Sequence, residues 1–462
     1  MDEKPVKQRV AVLGAGITGL TAAYYLLRRG VHATVLEARP EVGGLSTSFD
    51  FGDFYWDRFY HCILTTDKAL LRLIEDLGLT DRMRWQPTKV GFFAEEKLHS
   101  MSTSADFLRF PCLSLWNKIR LGLGILYTCS IGDGRRLENI DLAQWMKRVF
   151  GATNYRVVWE PLLKCKLGAC REEASAAFIW ATIKRLYSTR DKDQKQQERL
   201  GYVQGGYRTV CEQLWYEITR MGGEVRTAVQ VERITEIEGG LRVTIGGSPE
   251  VFESVIATIP SKSLAQLAPD LSSDYLEKLT GSKYMGMVCF AVVLDKKLSP
   301  YYVTNLSVED VPFTGIIEMT NLIACTETAG HHLVYLPKYT VPGDPLFDMP
   351  EGELWKPFRA GLSRVFPDLQ DEAIQRRYLF RERFVQPVPV RQYSANLPPM
   401  QTGIPGLILA NTTQIVNSTL NNNAMVEIAR RAVEIAIGTG VADTAAVTPP
   451  KCATPVASAG LL

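Results

Sequence analysis

Three glycines near the start of the chain, Gly14, Gly16 and Gly19, have the spacing of a phosphate-binding turn. They follow an apolar run at 10–13, which predicts a strand, and they open a segment that predicts a helix to Arg29. The first glycine allows a tight turn, the second lets the backbone approach a pyrophosphate, and the third lets helix and strand pack closely. The N–H groups and the dipole at a helix N-terminus also favour phosphate. This spacing therefore predicts dinucleotide binding.

The residues that follow supply a partner for the ribose of such a ligand. Residues 33–36 predict the next strand, and Glu37 at its end is placed where an acid can bond a ribose diol. The alternative is an ordinary strand–helix–strand crossover without a ligand. Because the strand, the helix, the next strand and the acid follow one another with the order and spacing of a nucleotide-binding unit, the sequence favours dinucleotide binding.

A pair of adjacent glycines, Gly43-Gly44, comes shortly after this acid within the stretch RPEVGGLS. It resembles the extended motif of flavoproteins with two dinucleotide-binding regions, namely the flavin amine oxidases, protoporphyrinogen oxidases, phytoene desaturases and UDP-galactopyranose mutases. The resemblance implies FAD rather than NAD. Many members have arginine after the two glycines, whereas this chain has Leu45, so we expect one phosphate-facing cation to be absent. The cofactor contacts implied for this region are Gly14, Gly16, Ile17, Thr18, Gly19, Glu37, Ala38, Arg39, Gly43, Gly44, Leu45 and Ser46.

Three later segments resemble the remaining FAD-binding parts of these families. Residues 224–234 predict a strand, and the resemblance implies that its valine pairs with the adenine. Residues 250–259 predict a return strand passing the cofactor. The strand at 406–410 precedes a helix to 437 whose N-terminal dipole can stabilise negative charge on the flavin. An Ala-Asn pair replaces the usual Gly-Asp pair there. The implied contacts are Val231, Thr258, Asn411, Asn423 and Ala424.

The aromatic-rich stretch 49–65 predicts a strand pair around a glycine turn. Its Tyr-His-Cys-Ile-Leu-Thr end resembles the histidine-bearing stretch of the galactopyranose mutases. His61 is therefore the first candidate for a catalytic residue beside the flavin ring. The alternative is a histidine satisfied within an aromatic sheet.

Substrate-facing residues are predicted from resemblance in the second half of the chain. The region of Glu318 and of Tyr335 to Tyr339 resembles the substrate-facing sheet of the mutases. Tyr393 lies in a stretch that resembles the aromatic-x-x-Ala-x-Pro element of protoporphyrinogen oxidases. We expect it to form a wall of the substrate cavity or to act in catalysis, with ordinary packing as the alternative.

A predominantly helical block is predicted between the first two FAD-binding segments. Within it, residues 113–131 predict an amphipathic helix that two basic residues, Lys118 and Arg120, interrupt. Core packing beside a pocket is the favoured role of this helix. Peripheral membrane contact or an entrance for a lipid substrate is the alternative.

Composition excludes several classes of protein. The 462 residues are 46% hydrophobic and 22% charged, which suits more than one core. A net charge of +2 gives no strong field, so we expect no nucleic-acid partner. The nine cysteines lack C-x-x-C spacing and the five histidines lack H-x-x-x-H spacing, so we expect reduced thiols, no metal site and a cytoplasmic protein. The sequence contains no run of 18 apolar residues, so no membrane-spanning helix is predicted.

The sequence as a whole predicts an α/β fold, a Rossmann-like FAD domain with an inserted α+β substrate domain made of an antiparallel sheet and a helical subdomain. We assign the discontinuous FAD domain to 1–65, 201–265 and 396–438. The helical insertion is 66–200, the sheet of the substrate domain is 266–395, and 439–462 is a disordered tail.

The predicted function is that of an FAD-dependent oxidoreductase, a dehydrogenase or oxidase that transfers hydride from a small organic substrate to flavin N5. FAD is expected to be non-covalent, because no cysteine lies between Cys325 and Cys452, where monoamine oxidases attach theirs. Two alternatives stay open. One is a sugar-nucleotide isomerase of the mutase kind, and the other is a flavin-binding protein without turnover. The substrate and the oligomeric state are not determined by the sequence.

Overall fold

The computed structural model of this chain describes residues 8–188, 199–308 and 310–438. The disordered tail predicted at 439–462 lies outside the described residues.

The strands within the described residues form five sheets. In chain order they are β1 (Arg9–Leu13), β2 (His32–Leu36), β3 (Ser48–Asp50), β4 (Tyr55–Asp57), β5 (Ile63–Leu64), β6 (Met83–Pro87), β7 (Val90–Ala94), β8 (Lys97–Ser100), β9 (Arg199–Val203), β10 (Glu224–Arg226), β11 (Val231–Ile237), β12 (Gly240–Ile245), β13 (Ser248–Phe252), β14 (Ser254–Ala257), β15 (Tyr284–Leu294), β16 (Val303–Leu306), β17 (Gly315–Glu318), β18 (His332–Thr340), β19 (Ile374–Pro387) and β20 (Leu407–Leu409).

The helices vary from a single turn to four turns. In chain order they are α1 (Ile17–Arg28), α2 (Lys68–Asp76), α3 (Ser104–Arg109), α4 (Leu115–Ser130), α5 (Leu142–Phe150), α6 (Ala152–Asn154), α7 (Glu160–Leu167), α8 (Ala176–Ser188), α9 (Gly206–Arg220), α10 (Ser261–Leu267), α11 (Ser273–Gly281), α12 (Glu351–Val365), α13 (Tyr393–Asn396) and α14 (Asn422–Ala436).

A five-stranded parallel sheet of order β10-β2-β1-β14-β20 forms the centre of the nucleotide-binding region. Strands β1, β14 and β20 are short and nearly all of their residues are buried, as expected where both faces of a parallel sheet are covered. Helix α1 packs against α9 and α14 on one face. The small antiparallel sheet β11-β12-β13, with α10 and α11, contributes to the apolar cluster on the other face. Three distant parts of the chain therefore build one sheet.

A seven-stranded sheet of order β19-β15-β18-β17-β16-β7-β8 forms the second large layer. The pairs among β15 to β19 are antiparallel, as predicted for 266–395, whereas β7, from the block predicted as helical, joins β16 in parallel. These two strands come from widely separated parts of the chain, so no hairpin constrains their direction. Strand β15 is buried along its whole length, between β18 and β19.

Two predicted strands are each divided in the structure. The strand predicted at 224–234 is broken at Ala228, whose φ of 55° turns the chain out of β10 and into the separate sheet of β11. The strand predicted at 250–259 is divided at Glu253, because β13 pairs with β12 whereas β14 joins the central parallel sheet. The alternation of apolar and polar residues does not reveal that the two halves of a segment pair with different sheets, since both halves are extended.

The block predicted as helical contains strands as well as helices. Strands β6, β7 and β8 occupy 83–100, where β6 pairs with β9 and β7 joins the seven-stranded sheet. Helices α3 to α8 follow and share one apolar cluster with residues of the large sheet. Asp141 caps α5, because its carboxylate accepts a hydrogen bond from the Gln144 N–H. Within the described residues, no helix is both long and apolar enough to cross a membrane.

Candidate active site

The two glycine turns predicted at the N-terminus pack directly against each other. The Gly43 N–H donates to the Ala15 carbonyl at 2.8 Å, and Gly16 forms an isolated parallel bridge with Gly43. A Cβ on Gly44, whose φ is 59°, would lie 3.1 Å from the Gly16 Cα. The absence of side chains therefore leaves one cradle made of two backbone turns, with the N-terminus of α1 at its edge.

The back of this cradle is closed by Thr258, at the end of β14. Its hydroxyl donates to the Leu13 carbonyl at 2.7 Å. A Cβ on Gly14 would lie 2.8 Å from the same hydroxyl oxygen, and one on Gly19 would lie 1.9 Å from the Gly14 carbonyl oxygen. The first and third glycines are thus required by packing, as the sequence motif predicts.

Glu37 follows β2 and faces the same turn. One carboxylate oxygen accepts from the Ala15 N–H at 2.7 Å and the other from the Arg39 N–H at 2.9 Å. The Val229 N–H donates to the Glu37 carbonyl, which brings the segment before Val231 and β11 alongside. Ala38 follows Glu37 in this segment. Ile17 and Thr18 are buried in the first turn of α1.

The guanidinium of Arg58, which was not predicted from the sequence, lies at the Gly43-Gly44 pair. Arg58, after β4, donates from Nη2 to the Gly44 carbonyl at 3.1 Å. Its Nε is buried with no hydrogen-bond partner, and within the described residues no carboxylate forms an ion pair with it. Burial and the neighbouring Arg39 lower the pKa of Arg58. Leu45, where many relatives have arginine, instead packs beside an aromatic cluster.

The asparagines of the C-terminal segment each have a partner within the protein. Asn421 caps α14 by accepting from the Ala424 N–H, and Asn422 donates to the Ser46 hydroxyl at 3.2 Å. Asn423 accepts from two N–H groups of the first turn of α2. These contacts hold the α14 N-terminus beside the glycine cradle.

Asn411 connects the ends of two parallel strands. Its amide donates to the Ile259 carbonyl at 2.8 Å, and its oxygen accepts from the Thr413 N–H and hydroxyl. The side chain is buried, with both of its polar atoms bonded. The contacts predicted between the cofactor and Asn411, Asn423 and Ala424 stay predictions.

His61 lies beside a buried carboxylate. Its Nδ1 is 3.3 Å from Asp57 Oδ2, and its ring meets the Tyr207 ring edge-on. The other oxygen of Asp57 accepts from the Tyr207 N–H at 3.0 Å. Burial raises the pKa of Asp57, against the opposing effect of His61. The two groups are within ion-pair distance but form no hydrogen bond, since His61 Nδ1 is buried without a hydrogen-bond partner.

The predicted substrate tyrosines lie close to this pair. The Tyr335 hydroxyl donates to the Asp57 carbonyl, and the Tyr339 hydroxyl is 3.1 Å from that of Tyr60, next to His61 in sequence. Burial raises the pKa of both tyrosines, which keeps their hydroxyls protonated. The structure thus brings Tyr335, Tyr339 and the His61 segment together.

Glu318 has a different environment from these tyrosines. Its carboxylate is buried and accepts from the Leu298 and Ser299 N–H groups, both at 3.1 Å, and from the Ser299 hydroxyl. Burial raises the pKa of Glu318 to about 7. These contacts support the turn before β16, and its predicted role toward substrate stays untested.

A cavity opens where three segments meet. The Tyr393 hydroxyl donates to the Thr413 carbonyl at 2.9 Å while its side chain lines the cavity. Leu420, also in the lining, contacts the cluster that holds Leu45 and Tyr60. Leu420 thus places one wall of the cavity against that cluster. The lining residues are Phe178, Gln386, Pro387, Pro389, Tyr393, Ile415, Ser418 and Leu420.

A buried carboxylate, whose role was not predicted from the sequence, forms hydrogen bonds to residues beside the wall of this cavity. Glu138, just before α5, accepts from the Ser394 N–H and hydroxyl with one oxygen. Its other oxygen accepts from the Asn417 amide at 2.8 Å. It thereby joins the helical block to the two turns beside the cavity. Its role could not be predicted from the sequence, because a single acid between Leu137 and Asn139 belongs to no recognisable motif.

The cradle fits the diphosphate of a dinucleotide. Two side-chain-free turns and a helix N-terminus form it, and the Glu37 carboxylate and the Arg58 guanidinium lie against these turns. Within the described residues, no group of three His, Cys, Asp or Glu side chains is placed to hold a metal ion.

Comparison with known proteins agrees with this geometry. The 15-cis-phytoene desaturase of Synechococcus elongatus is 22% identical over 326 residues, covering 63% of this chain and 66% of the desaturase, which is just under two thirds of its length. Protoporphyrinogen oxidase 2 of Arabidopsis thaliana is 38% identical over 78 residues, which cover 17% of this chain and 15% of that protein. The structure of a reduced UDP-galactopyranose mutase superposes with a TM-score of 0.72 at 14% identity, covering 94% of this chain and 96% of that one.

The family of flavin containing amine oxidoreductases matches residues 17–419, which is most of the chain. That match begins in the first turn of α1 and ends just before α14, so it leaves out Gly14 and Gly16 but includes Gly19 and the Gly43-Gly44 pair. The chain therefore belongs to the flavin containing amine oxidoreductase family.

Proposed function

We propose that the chain is a dehydrogenase or oxidase that removes hydride from a small, uncharged and largely apolar substrate. The observation that carries the proposal is the lining of the cavity beside Tyr393, which has no charged side chain among its described residues. Binding sites of this kind select their ligands by shape and apolar contact. When bound, FAD supplies the two-electron acceptor at flavin N5.

We propose that the protein's own residues orient the reactants and exclude water. The glycine turns, Glu37 and Arg58 would hold the cofactor without a covalent link, and Tyr393 and Leu420 would wall the substrate. His61, beside the Asp57 carboxylate, would hold or move a proton beside the flavin ring. In this division, 1–65, 201–265 and 396–438 bind FAD, whereas 66–200 and 266–395 form the substrate region. The five-stranded sheet supports the division, because all of its strands come from the first three segments.

An isomerase of the mutase kind is the second candidate, since His61 lies beside the substrate-sheet tyrosines. A sugar nucleotide needs cations for its diphosphate. The cavity lining offers none among the described residues, which favours the oxidoreductase that acts on an apolar substrate. Membership of an enzyme family removes the reason for a flavin-binding protein without turnover.

The proposed reaction is tested by mixing the purified yellow protein with candidate substrates without oxygen. We expect an uncharged, apolar isoprenoid to bleach the flavin band near 450 nm, whereas a primary amine and UDP-galactopyranose leave it unchanged. Bleaching by the amine alone would overturn the substrate class. Conversion of UDP-galactopyranose only by pre-reduced protein, without net electron consumption, would establish the mutase instead. A colourless protein that FAD cannot reconstitute would remove both candidates.

His61→Ala is expected to keep bound FAD but to lower turnover by about 100-fold or more, the usual scale for a proton-transfer group. Asp57→Asn should keep turnover measurable while changing its pH profile, because the amide no longer stabilises a charged imidazole. His331→Ala is a matched control, since His331 forms a surface pair with Asp53 at 2.9 Å. Unchanged turnover in His61→Ala would limit this histidine to packing.

A further inference from the structure

Helix α4 exposes a row of large apolar side chains. The exposed fractions are 65% for Leu115, 71% for Trp116, 46% for Ile119, 62% for Leu123 and 54% for Tyr127. The spacing of three and four residues places them on one face of the helix. Leu108, at the end of α3, adds a sixth side chain that is 58% exposed. Within the described residues, this is more than half of the large apolar side chains that are exposed.

The opposite face of α4 is already packed. Leu121 and Ile125 are buried in the cluster shared by the helical block, and a Cβ on Gly124 would meet the ring of Phe150 at 2.6 Å. The helix is thus held in place by one apolar face and presents a second one to the outside. A continuous exposed apolar face of this kind marks an interaction surface.

Charge around this face distinguishes between the possible partners. No Asp or Glu occurs between positions 107 and 132, whereas Arg109, Lys118 and Arg120 do. Arg109 is exposed beside Leu108, and Arg120 reaches the Arg148 carbonyl at 3.0 Å, which brings exposed Arg148 to the flank of α4. Residues 101–188 contain 13 Lys and Arg against 7 Asp and Glu, a net charge of +6, although the whole chain has only +2. The apolar face is therefore bordered by an excess of positive charge.

We propose that the exposed face of α4, with Leu108, docks on an anionic lipid bilayer. A 16-residue helix is about 24 Å long, and it would lie in the plane of the interface with its apolar face among the acyl chains. Trp116 and Tyr127, toward its two ends, are residues that favour the membrane–water boundary. Arg109, Arg120 and Arg148 would meet the lipid phosphates. The docking does not depend on the reaction proposed above.

A second copy of the chain fits this surface less well. In a two-fold symmetric dimer the same patch faces itself. The face of α4 would then bring its basic border against an identical basic border, with no acidic residue at 107–132 to neutralise it. Anionic lipid supplies the opposite charge.

Flotation of the full-length, FAD-loaded protein with vesicles tests this docking. We expect the protein to float with vesicles of equal phosphatidylcholine and phosphatidylglycerol, and less with phosphatidylcholine alone or in 0.5 M salt, since screening weakens the basic contacts. The double variant Trp116→Ser/Leu123→Ser should lower the bound fraction at least ten-fold. Its flavin absorbance and thermal midpoint should equal those of the unchanged protein, because both side chains are largely exposed.

Tyr216→Ser is the matched control, since Tyr216 is an exposed aromatic residue on α9, with 59% of its surface accessible. It should float like the unchanged protein. Failure of the unchanged protein to bind either vesicle, or equal binding by the double variant, would overturn the proposal. A dimer in light scattering that the double variant dissociates, without vesicle binding, would assign the face to a second copy.

Discussion

Gly19→Ala is expected to abolish FAD retention and to destabilise the fold. The new Cβ would lie 1.9 Å from the Gly14 carbonyl oxygen and 3.1 Å from the Thr258 hydroxyl oxygen. The first neighbour is backbone, so α1 must move away from β1. Such overpacking costs about 3 kcal/mol or more, and it also displaces the N–H groups that would face the diphosphate. The ratio of absorbance at 450 and 280 nm after gel filtration, and the thermal midpoint, should both fall.

Gly352→Ala is the control for this substitution. Gly352 lies in the first turn of α12, a Cβ there meets nothing within 4 Å, and its φ is not in the left-handed region. Alanine should leave FAD content unchanged and stability equal or slightly higher, since glycine is the poorer helix former. Full FAD content and an unchanged midpoint in Gly19→Ala would contradict the close approach of α1 to the glycine turn.

Arg58→Gln is expected to weaken FAD binding by about 10- to 100-fold, the scale of one charge-assisted hydrogen bond. The guanidinium lies on the Gly44 carbonyl, next to the position that Leu45 occupies in place of the arginine of many relatives. If Arg58 supplies that missing charge, Leu45→Arg in the same chain should restore most of the affinity. The dissociation constant is measured by titrating apoprotein with FAD and following flavin fluorescence.

Riboflavin separates a charge effect from a general defect, because it has the flavin ring but no phosphate. Its affinity should be equal in the unchanged protein and in Arg58→Gln. Arg233→Gln, which removes a surface pair with Asp270, should change neither ligand. Equal loss of riboflavin and FAD affinity, or no rescue by Leu45→Arg, would show that Arg58 supports the hairpin rather than the diphosphate.

The N-terminal cofactor region could be predicted from sequence because its signals are local. The spacing of Gly14, Gly16 and Gly19 follows from the sterics of one turn, and Glu37 ends the very next strand. The structure agrees, since each of these residues lies within hydrogen-bond or van der Waals distance of the turn. Membership of the flavin oxidoreductase family, which the extended glycine motif predicted, is confirmed.

The sequence also predicted that 113–131 forms a helix, but not which face it buries. Helix α4 is apolar on both sides, with Leu121 inside and Trp116 outside. Periodicity identifies a buried face only when the other face is polar. Only the positions of α5 and α8 decide which side is covered.

The partners of side chains from distant segments were decided by the tertiary structure alone. Arg58 reaches the glycine pair because the β3–β4 hairpin folds back on it, and Glu138 reaches Ser394 across 256 positions. Asn423, at the start of α14, was predicted as a cofactor contact, and the structure shows its oxygen accepting from two N–H groups of α2. Local sequence determines turns, helices and strands, because these depend on neighbouring dihedral angles and periodic burial. The cavity and the charged groups around the site depend on contacts between distant segments in the assembled fold, and neighbouring residues in the sequence do not determine those contacts.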